Sequence, residues 1–326
     1  MSQESVGPLN PSPEDFAGES AGRTVKRLFH ATRPKFFPAS VLPVVTGTVY
    51  GALATGSFNI SVSVIALLAT VCVHAASNVL NDVGDDSGGT DRINEQRIYP
   101  YTGGSRFIQM GILTRLRMAR FGTGLLVAAT ILGLVLVFEN GPVVLLFGLA
   151  GVALGILYSL GPVRLSALGI GEAAVGVAFG VIPVTGAAWL QGAAIDSAAV
   201  LVSLPVSAWV AAILLINEVP DIDADASTGK NTLPVRLGLT GTSFVYAGLH
   251  LAAVAAIVYA VVVGILPILA PLVPLAMLLL ALRATVAIRT GVADRGAMTK
   301  AIEATLGIHT IGCIWLVGCM VYKIAV

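Results

Sequence analysis

Residues 64–86 read VIALLATVCVHAASNVLNDVGDD, an apolar run that ends in three aspartates. The apolar part is about as long as a membrane-spanning helix, which needs roughly 20 residues to cross the hydrocarbon core. A carboxylate at the end of such a helix is costly to desolvate unless a positive partner neutralises it. The stretch therefore predicts a spanning helix whose polar end binds something cationic.

The composition of the whole chain is that of a membrane protein. Of its 326 residues, 56% are hydrophobic and 11% are charged, and the mean hydropathy is +0.88. Long apolar runs recur between Gly, Pro and charged breaks, which indicates a polytopic helical protein. We predict an all-α bundle of nine transmembrane helices, at 36–55, 59–81, 118–138, 142–160, 168–190, 197–217, 242–262, 265–288 and 302–322.

The basic residues predict how this bundle is oriented. With nine spans, 18 of the 19 Lys and Arg fall on the side of the N-terminus, and only Lys323 falls on the other side. By the positive-inside rule, we expect the N-terminus in the cytoplasm and the bundle in the cytoplasmic membrane. Residues 1–30 are predicted to be a disordered cytoplasmic tail, and residues 31–326 a single transmembrane domain.

One polar pattern occurs twice along the chain. Residues 78–86 (NVLNDVGDD) and 217–225 (NEVPDIDAD) both fit N-x-x-x-D-x-x-x-D, and both end an apolar span on the predicted cytoplasmic side. Because four-residue spacing places side chains on one face of a helix, each copy predicts a polar stripe. The stripes consist of Asn78, Asp82 and Asp86, and of Asn217, Asp221 and Asp225.

Two acidic stripes that face each other across a bundle suit a particular chemistry. Mg²⁺ prefers oxygen ligands, and its coordination is usually completed by waters and substrate phosphates. Bound to a diphosphate, it would stabilise the departing pyrophosphate. If the diphosphate carries an allylic chain, an electron-rich aromatic ring can capture the resulting carbocation, and an apolar bundle would exclude water. The pattern predicts Mg²⁺-dependent transfer of an isoprenoid chain.

Other interpretations fit the residues less well. DIDADASTGKNT at 221–232 begins like a calcium-binding EF-hand loop, but Ala226 replaces the required Gly and Thr232 the required Glu. A cation-coupled transporter is the alternative from a different functional class, and it predicts charged groups near the bilayer midplane. The carboxylates here cluster at one face instead, which favours the enzyme.

Five segments resemble a known family. They read TRPKFFPASVLPVVTG (32–47), NVLNDVGDDSGGTD (78–91), LYSLGPVRLSALGIGE (157–172), FGVIPVTG (179–186) and NEVPDIDADASTGKNTLPVRLG (217–238). Together they resemble the UbiA superfamily of intramembrane aromatic prenyltransferases, and within it the MenA-type 1,4-dihydroxy-2-naphthoate polyprenyltransferases. The stretch RINEQRIYPYTGGSRFIQMG (92–111) departs from that branch, so the acceptor is where the resemblance is weakest.

The resemblance implies roles for individual residues. Asn78 and Asp82 match the first Mg²⁺-binding positions of the family, and Asp85 fits its Asp-x-x-Asp. The third aspartate of the first motif is either Asp86, by strict spacing, or Asp91, by an alignment with two extra residues. The second pair of metal-binding positions is matched by Asp221 and Asp225.

Further residues match positions around the substrates. Lys230 matches a lysine that is expected to contact the diphosphate, and Tyr158 a tyrosine near the substrate pocket; with Asp82 and Asp221 they form the expected catalytic set. Glu172 matches the family's Leu-Gly-Glu; it either orients the acceptor or a basic side chain, or is a helix N-terminal carboxylate without a catalytic role. Candidate anion contacts, for which basic membrane-surface residues are the other interpretation, are Arg33, Arg106 and Arg164.

The function expected from this resemblance is the transfer of a polyprenyl group from its diphosphate to an aromatic acceptor. The acceptor expected is 1,4-dihydroxy-2-naphthoate, which gives a demethylmenaquinone. Homogentisate, 4-hydroxybenzoate, another naphthoate or a lipid glycerol remain open as acceptors. We expect Mg²⁺ as the cofactor and the lipid bilayer as the surroundings, and no nucleic acid as a partner.

Overall fold

The computed structural model describes residues 10–88, 94–159 and 164–325 of the chain. Over these residues the regular structure is helical. The helices are α1 (Ala21–Ala31), α2 (Pro38–Thr55), α3 (Ile60–Gly88), α4 (Arg115–Asn140), α5 (Val143–Ser159), α6 (Gly171–Leu190), α7 (Ser197–Glu218), α8 (Ile222–Ser227), α9 (Leu233–Val262), α10 (Leu272–Thr290) and α11 (Arg295–Ala325).

Nine of the helices in the described part of the chain, α2 to α7 and α9 to α11, follow the order of the nine predicted spans. Seven described segments are long and apolar enough to cross a membrane; the last of these joins α10 and α11, and α5 contributes a shorter apolar helix. The predicted all-α membrane bundle is confirmed. The protein is a multi-pass membrane protein.

The spanning helices form a closed ring of neighbours. Each contacts the next along the chain, except that α7 passes to α9 across the short α8, and α11 returns to contact α2. Helix α7 also contacts α2 and α11, and its Val206, Ala212, Leu215 and Ile216 side chains are fully buried. This helix therefore connects the core to the second acidic motif, which begins at its last two residues.

The ends of the helices differ from the predicted spans at both acidic motifs. Helix α3 continues to Gly88, so the first motif is helical throughout. The second motif is not one continuous α-helix, because a 3₁₀ turn at Val219–Asp221 separates α7 from α8. Pro220 has no backbone N–H to continue the α-helical hydrogen bonds, which explains the break. The stripe from Asn217 to Asp225 is bent accordingly.

The N-terminal part of the chain is more ordered than expected. Residues 21–30, assigned above to a disordered tail, belong to α1. Ser20 caps the start of this helix, because its hydroxyl accepts a hydrogen bond from the backbone N–H of Arg23 over 3.3 Å. Phe16 is buried in edge-to-face contacts with the rings of His30 and Phe107. Apolar packing of this kind offsets the entropy lost on ordering. Residues 1–9 lie outside the described residues.

Close contact between α2 and α6 gives a test of the packing. A Cβ atom at Gly47 would collide with the backbone carbonyl oxygen of Val184, whereas a Cβ at Gly151 on α5 would meet nothing within 4 Å. We expect Gly47→Ala to destabilise the protein by about 1–3 kcal/mol, because the backbones must separate. Gly151→Ala is the matched control and should be neutral or slightly stabilising. Thermal unfolding in one detergent measures both; equal melting temperatures would contradict the close contact.

Candidate active site

The two acidic motifs meet at one lysine. The ammonium Nζ of Lys230 lies 3.8 Å from Oδ1 of Asp85 on α3 and 3.7 Å from Oδ1 of Asp225 on α8. Lys230 follows α8 in the turn before α9, where its backbone N–H donates to the carbonyl of Asp225 over 2.9 Å. A single positive group is therefore shared by carboxylates that stand 140 residues apart (225 minus 85) in the sequence.

A second basic residue faces the first motif. Arg33 forms an ion pair with Asp82, and Asp82 is only 3% exposed. The same carboxylate accepts hydrogen bonds from Ser105, from its backbone N–H over 3.1 Å and from its hydroxyl. Arg33 has a left-handed backbone with φ 54°, a conformation that costs a non-glycine residue about 1 kcal/mol or more and often marks a functional site.

The loop between α3 and α4 supplies donors to both motifs. Besides Ser105, its Asn94 donates through Nδ2 to Oδ1 of Asp221 over 2.7 Å. Asp221 also accepts hydrogen bonds from the side chain of Thr102 and from the backbone N–H of Gly103. These bonds neutralise part of the desolvation cost of the carboxylates, and they place the loop over the two motifs.

This loop is itself anchored at several points. The Tyr101 hydroxyl donates to Glu303 on α11 over 2.8 Å, and Arg97 donates to the Asn10 side chain. Arg295 donates to the backbone carbonyl of Gln96 over 3.1 Å. Burial and the neighbouring Glu303 carboxylate raise the pKa of Tyr101 to about 12, so its hydroxyl remains a donor at neutral pH.

The other predicted site residues are distributed around this centre. Asn78 donates to the backbone carbonyl of Thr32 over 2.9 Å, next to Arg33. Asp86 accepts from Gln109 over 3.4 Å. Arg106 is buried, follows Ser105 and has a left-handed backbone with φ 64°. Arg164 is exposed, before the short 3₁₀ turn Leu165–Ala167. Asp91 lies outside the described residues, so the choice between it and Asp86 stays open.

Tyr158 lies against the start of α6. A Cβ atom at Gly171 would stand 3.6 Å from its ring atom Cε2. Tyr158 is also within electrostatic range of Asp85 and Asp225, and of two further carboxyl groups, Glu172 and Glu218. The tyrosine is therefore close to both acidic motifs, although it belongs to neither.

Several residues of this site had no sequence signal strong enough to assign them. Asn94, Thr102 and Ser105 occupy the stretch that departs from the family pattern, and a departure alone does not show which carboxylate each side chain contacts. The only usable signal was the small, polar TGGS at 102–105, which is typical of a loop that approaches other groups closely. Glu218 was missed altogether.

The donor groups of the site fit Mg²⁺ held jointly with a diphosphate. The side-chain acceptors of the two motifs are carboxylate and amide oxygens, the ligands that Mg²⁺ prefers, and the Lys230 ammonium lies between the motifs. In the described ranges no three His, Cys, Asp or Glu side chains stand close enough to hold a metal ion by themselves. Mg²⁺ usually binds one or two carboxylates together with substrate phosphates, so a complete cage is not required.

The sequence profile of the UbiA prenyltransferase family matches residues 40–302, which is most of the chain and includes both acidic motifs. The chain belongs to the UbiA prenyltransferase family. Among its curated relatives, the 1,4-dihydroxy-2-naphthoate octaprenyltransferase of Haemophilus influenzae is 34% identical over 66% of this chain and 70% of that protein. The enzyme of the same name from Bacillus subtilis is 28% identical over 81% of this chain and 79% of that protein.

Solved structures of UbiA homologues share the fold of this UbiA-family chain. The homologue from Aeropyrum pernix K1 superimposes with a TM-score of 0.65 at 20% identity, over 87% of this chain and 96% of that chain. The homologue from Archaeoglobus fulgidus, solved with GPP and Mg²⁺ bound, gives a TM-score of 0.64 at 16% identity, over 92% of this chain and 100% of that chain. At these identities the likeness establishes the fold.

Proposed function

We propose that this UbiA-family protein transfers a polyprenyl group from polyprenyl diphosphate to 1,4-dihydroxy-2-naphthoate, in the biosynthesis of menaquinone. The observation that carries the proposal is the meeting of two acidic motifs at Lys230, because such a site suits a diphosphate bound with divalent cations. The names of the curated relatives support the naphthoate as acceptor. In the reaction, the ring carbon forms a bond to the prenyl carbon, pyrophosphate leaves, and the ring carboxylate departs as CO₂.

The residues of the site divide between metal and diphosphate. Mg²⁺, when bound, would neutralise the charge that develops on the departing pyrophosphate. The residues that would hold it are Asn78, Asp82, Asp85, Asp221 and Asp225, with Asp86 or Asp91 as the third aspartate of the first motif. Lys230 and Arg33, already adjacent to these carboxylates, would neutralise diphosphate oxygens, and Arg106 is a further candidate. Arg164, which is exposed, is the weakest.

The surroundings of the site support water exclusion and an orientation. The anchored loop from Asn94 to Ser105 lies over the carboxylates, and the apolar bundle on their other side would hold the isoprenoid chain away from water. We propose that the acidic face and the N-terminus are cytoplasmic and that the bundle lies in the cytoplasmic membrane, because the basic residues collect on that side.

The test is a product assay in lipid nanodiscs. Purified protein would receive a radiolabelled polyprenyl diphosphate and, in separate reactions, dihydroxynaphthoate, homogentisate and 4-hydroxybenzoate. We expect label on the naphthoate, release of one CO₂ per product, and loss of the reaction in EDTA with recovery in excess Mg²⁺. Label on a different acceptor would replace the naphthoate in the proposal. Well-folded protein that labels none of them would contradict the function.

A further inference from the structure

A pair of buried carboxyl groups lies beside the acidic motifs. Glu172 is the second residue of α6 and Glu218 the last residue of α7, and they are 5% and 9% exposed. Their side chains lie within hydrogen-bonding range of each other. The two carboxyl groups form one unit, because they are joined by a hydrogen bond and shielded from water together.

The pair lies next to the second acidic motif. Glu218 is the last residue of α7, and the 3₁₀ turn Val219–Asp221 follows it directly. Tyr158, whose ring packs at Gly171 next to Glu172, is in electrostatic range of the pair and also of Asp85 and Asp225. A molecule that touched the pair would therefore stand next to the diphosphate site.

Two oxygen atoms of the pair have no partner. Oε1 of Glu172 and Oε2 of Glu218 are buried and receive no hydrogen bond from any described residue. Buried acceptors without a donor are rare in folded proteins, and each such atom calls for an explanation. Since both atoms are acceptors, the group that satisfies them has to be a donor.

This requirement distinguishes between the two substrates. A polyprenyl diphosphate has an apolar chain and anionic oxygens, so it offers acceptors only. An aromatic acceptor with two ring hydroxyl groups offers two O–H donors. We propose that the Glu172–Glu218 pair binds the ring hydroxyls of the aromatic acceptor and thereby determines which ring carbon faces the prenyl donor; the inference rests on the proposed function.

The pair would also help the ring to react. A hydroxyl that donates a strong hydrogen bond to a carboxyl oxygen leaves more electron density on the ring, and the ring carbon that attacks becomes more nucleophilic. Hydrogen bonds in which one partner is charged are stronger than those between neutral groups. The pair would thus act as a positioning and polarising group in contact with the acceptor, without taking part in the covalent step.

The test removes the proposed hydrogen bonds between the carboxyl pair and the ring hydroxyls, first by changing the protein and then by changing the acceptor. In the protein, Glu172→Met/Glu218→Met replaces the pair by apolar side chains of similar size, a change that is often tolerated when both partners are removed together. In the substrate, one ring hydroxyl is converted to a methyl ether, separately for each position. The matched control is Glu139→Met, at an exposed position near the end of α4.

We expect a coupled loss. In the wild type and in Glu139→Met, methylation of the contacted hydroxyl should raise the acceptor KM about tenfold or more, the usual effect of losing a hydrogen bond to a charged group. In the double variant the acceptor KM should already be raised by that factor, and methylation should add less than about threefold. The KM for polyprenyl diphosphate and the Mg²⁺ requirement should stay within about twofold of wild type.

Three results would overturn the inference. A methylation effect as large in the double variant as in the wild type would show that the pair does not touch the hydroxyl. A raised Mg²⁺ requirement or donor KM would assign the pair to the metal–diphosphate site. Wild-type protein that transfers nothing to the naphthoate would remove the proposed function and the inference together, and it is recognised by inactivity before any substitution.

A second variant covers the case in which the double methionine variant does not fold. Glu172→Gln/Glu218→Gln keeps volume and polarity, and its two amides can hydrogen-bond to each other while presenting one oxygen and one N–H group. We expect the methylation effect to fall at least about threefold in this variant, because one of the two acceptors is lost. If methylation raised the acceptor KM as much in this variant as in the wild type, the pair would not be in contact with the ring hydroxyls.

Discussion

Asp82→Asn and Asp221→Asn are each expected to reduce turnover at saturating substrates by about a thousandfold or more. Asparagine keeps the shape of the side chain but removes the negative charge, and a metal that neutralises developing pyrophosphate charge contributes several kcal/mol to the rate. The matched control is Asp223→Asn, two residues beyond Asp221 on α8. Asp223 is exposed, and among the described residues its recorded hydrogen bond is the one from Gln96, over 3.0 Å. It should keep near-normal turnover.

Stability measurements separate a lost function from a lost fold. Asp82→Asn replaces the charged group that pairs with Arg33 by a neutral amide. Weakening this largely buried ion pair costs about 1–3 kcal/mol, so the melting temperature of this variant should fall somewhat. Asp221→Asn keeps an oxygen that can accept from Asn94 and should melt close to wild type. Mg²⁺ with a non-hydrolysable prenyl diphosphate analogue should stabilise the wild type much more than either variant. Near-normal turnover in either variant would remove the metal assignment.

Lys230→Gln is expected to reduce kcat/KM for polyprenyl diphosphate by about a hundredfold. Lys230 lies between Asp85 and Asp225, and a charge-assisted hydrogen bond to a phosphate contributes about 1.5–3 kcal/mol. The two carboxylates would then face each other without this counter-ion. We therefore also expect the metal-free variant to melt at a lower temperature than wild type.

The response of Lys230→Gln to Mg²⁺ tests whether the lost ammonium is the cause of the lower melting temperature. Because a cation would replace the missing ammonium, adding Mg²⁺ alone should raise the melting temperature of Lys230→Gln more than that of wild type. Lys300→Gln, at an exposed position on α11, is the control and should match wild type in both measurements. An equal Mg²⁺ effect in Lys230→Gln and wild type would mean that the two motifs do not share one cation site.

Much of the fold followed from patterns that act over one helix. A spanning helix has to satisfy its backbone hydrogen bonds internally, so each long apolar run predicts one helix regardless of its neighbours, and the order of nine spans was predicted correctly. The first motif extended α3 because its four-residue period is itself helical. The bend at Pro220 and the extra turn of α9 before Gly238, a residue with φ 64°, were not assigned, although Pro and Gly mark both places.

The candidate site was predictable only in part, and the division has a physical basis. The chemical types of the ligands were evident from the sequence, because carboxylates at the ends of apolar spans are costly unless a cation is bound. The partners were not: Asn94 and Asp221 are 127 residues apart, and Tyr101 and Glu303 are 202 apart. Contacts of such long range depend on the packing of several helices, which no local period reveals.

The sequence by itself determined a nine-helix membrane bundle, the family, and two oxygen-rich motifs, since these depend on hydrophobicity, charge and spacing along single helices. Only the tertiary structure decided that Lys230 joins the two motifs, that the loop from Asn94 to Ser105 covers them, and that Glu172 meets Glu218 inside the bundle. The physical reason is that a hydrogen bond or an ion pair acts over a few ångströms, so it depends on where the backbone brings two residues and not on how far apart they are in the chain.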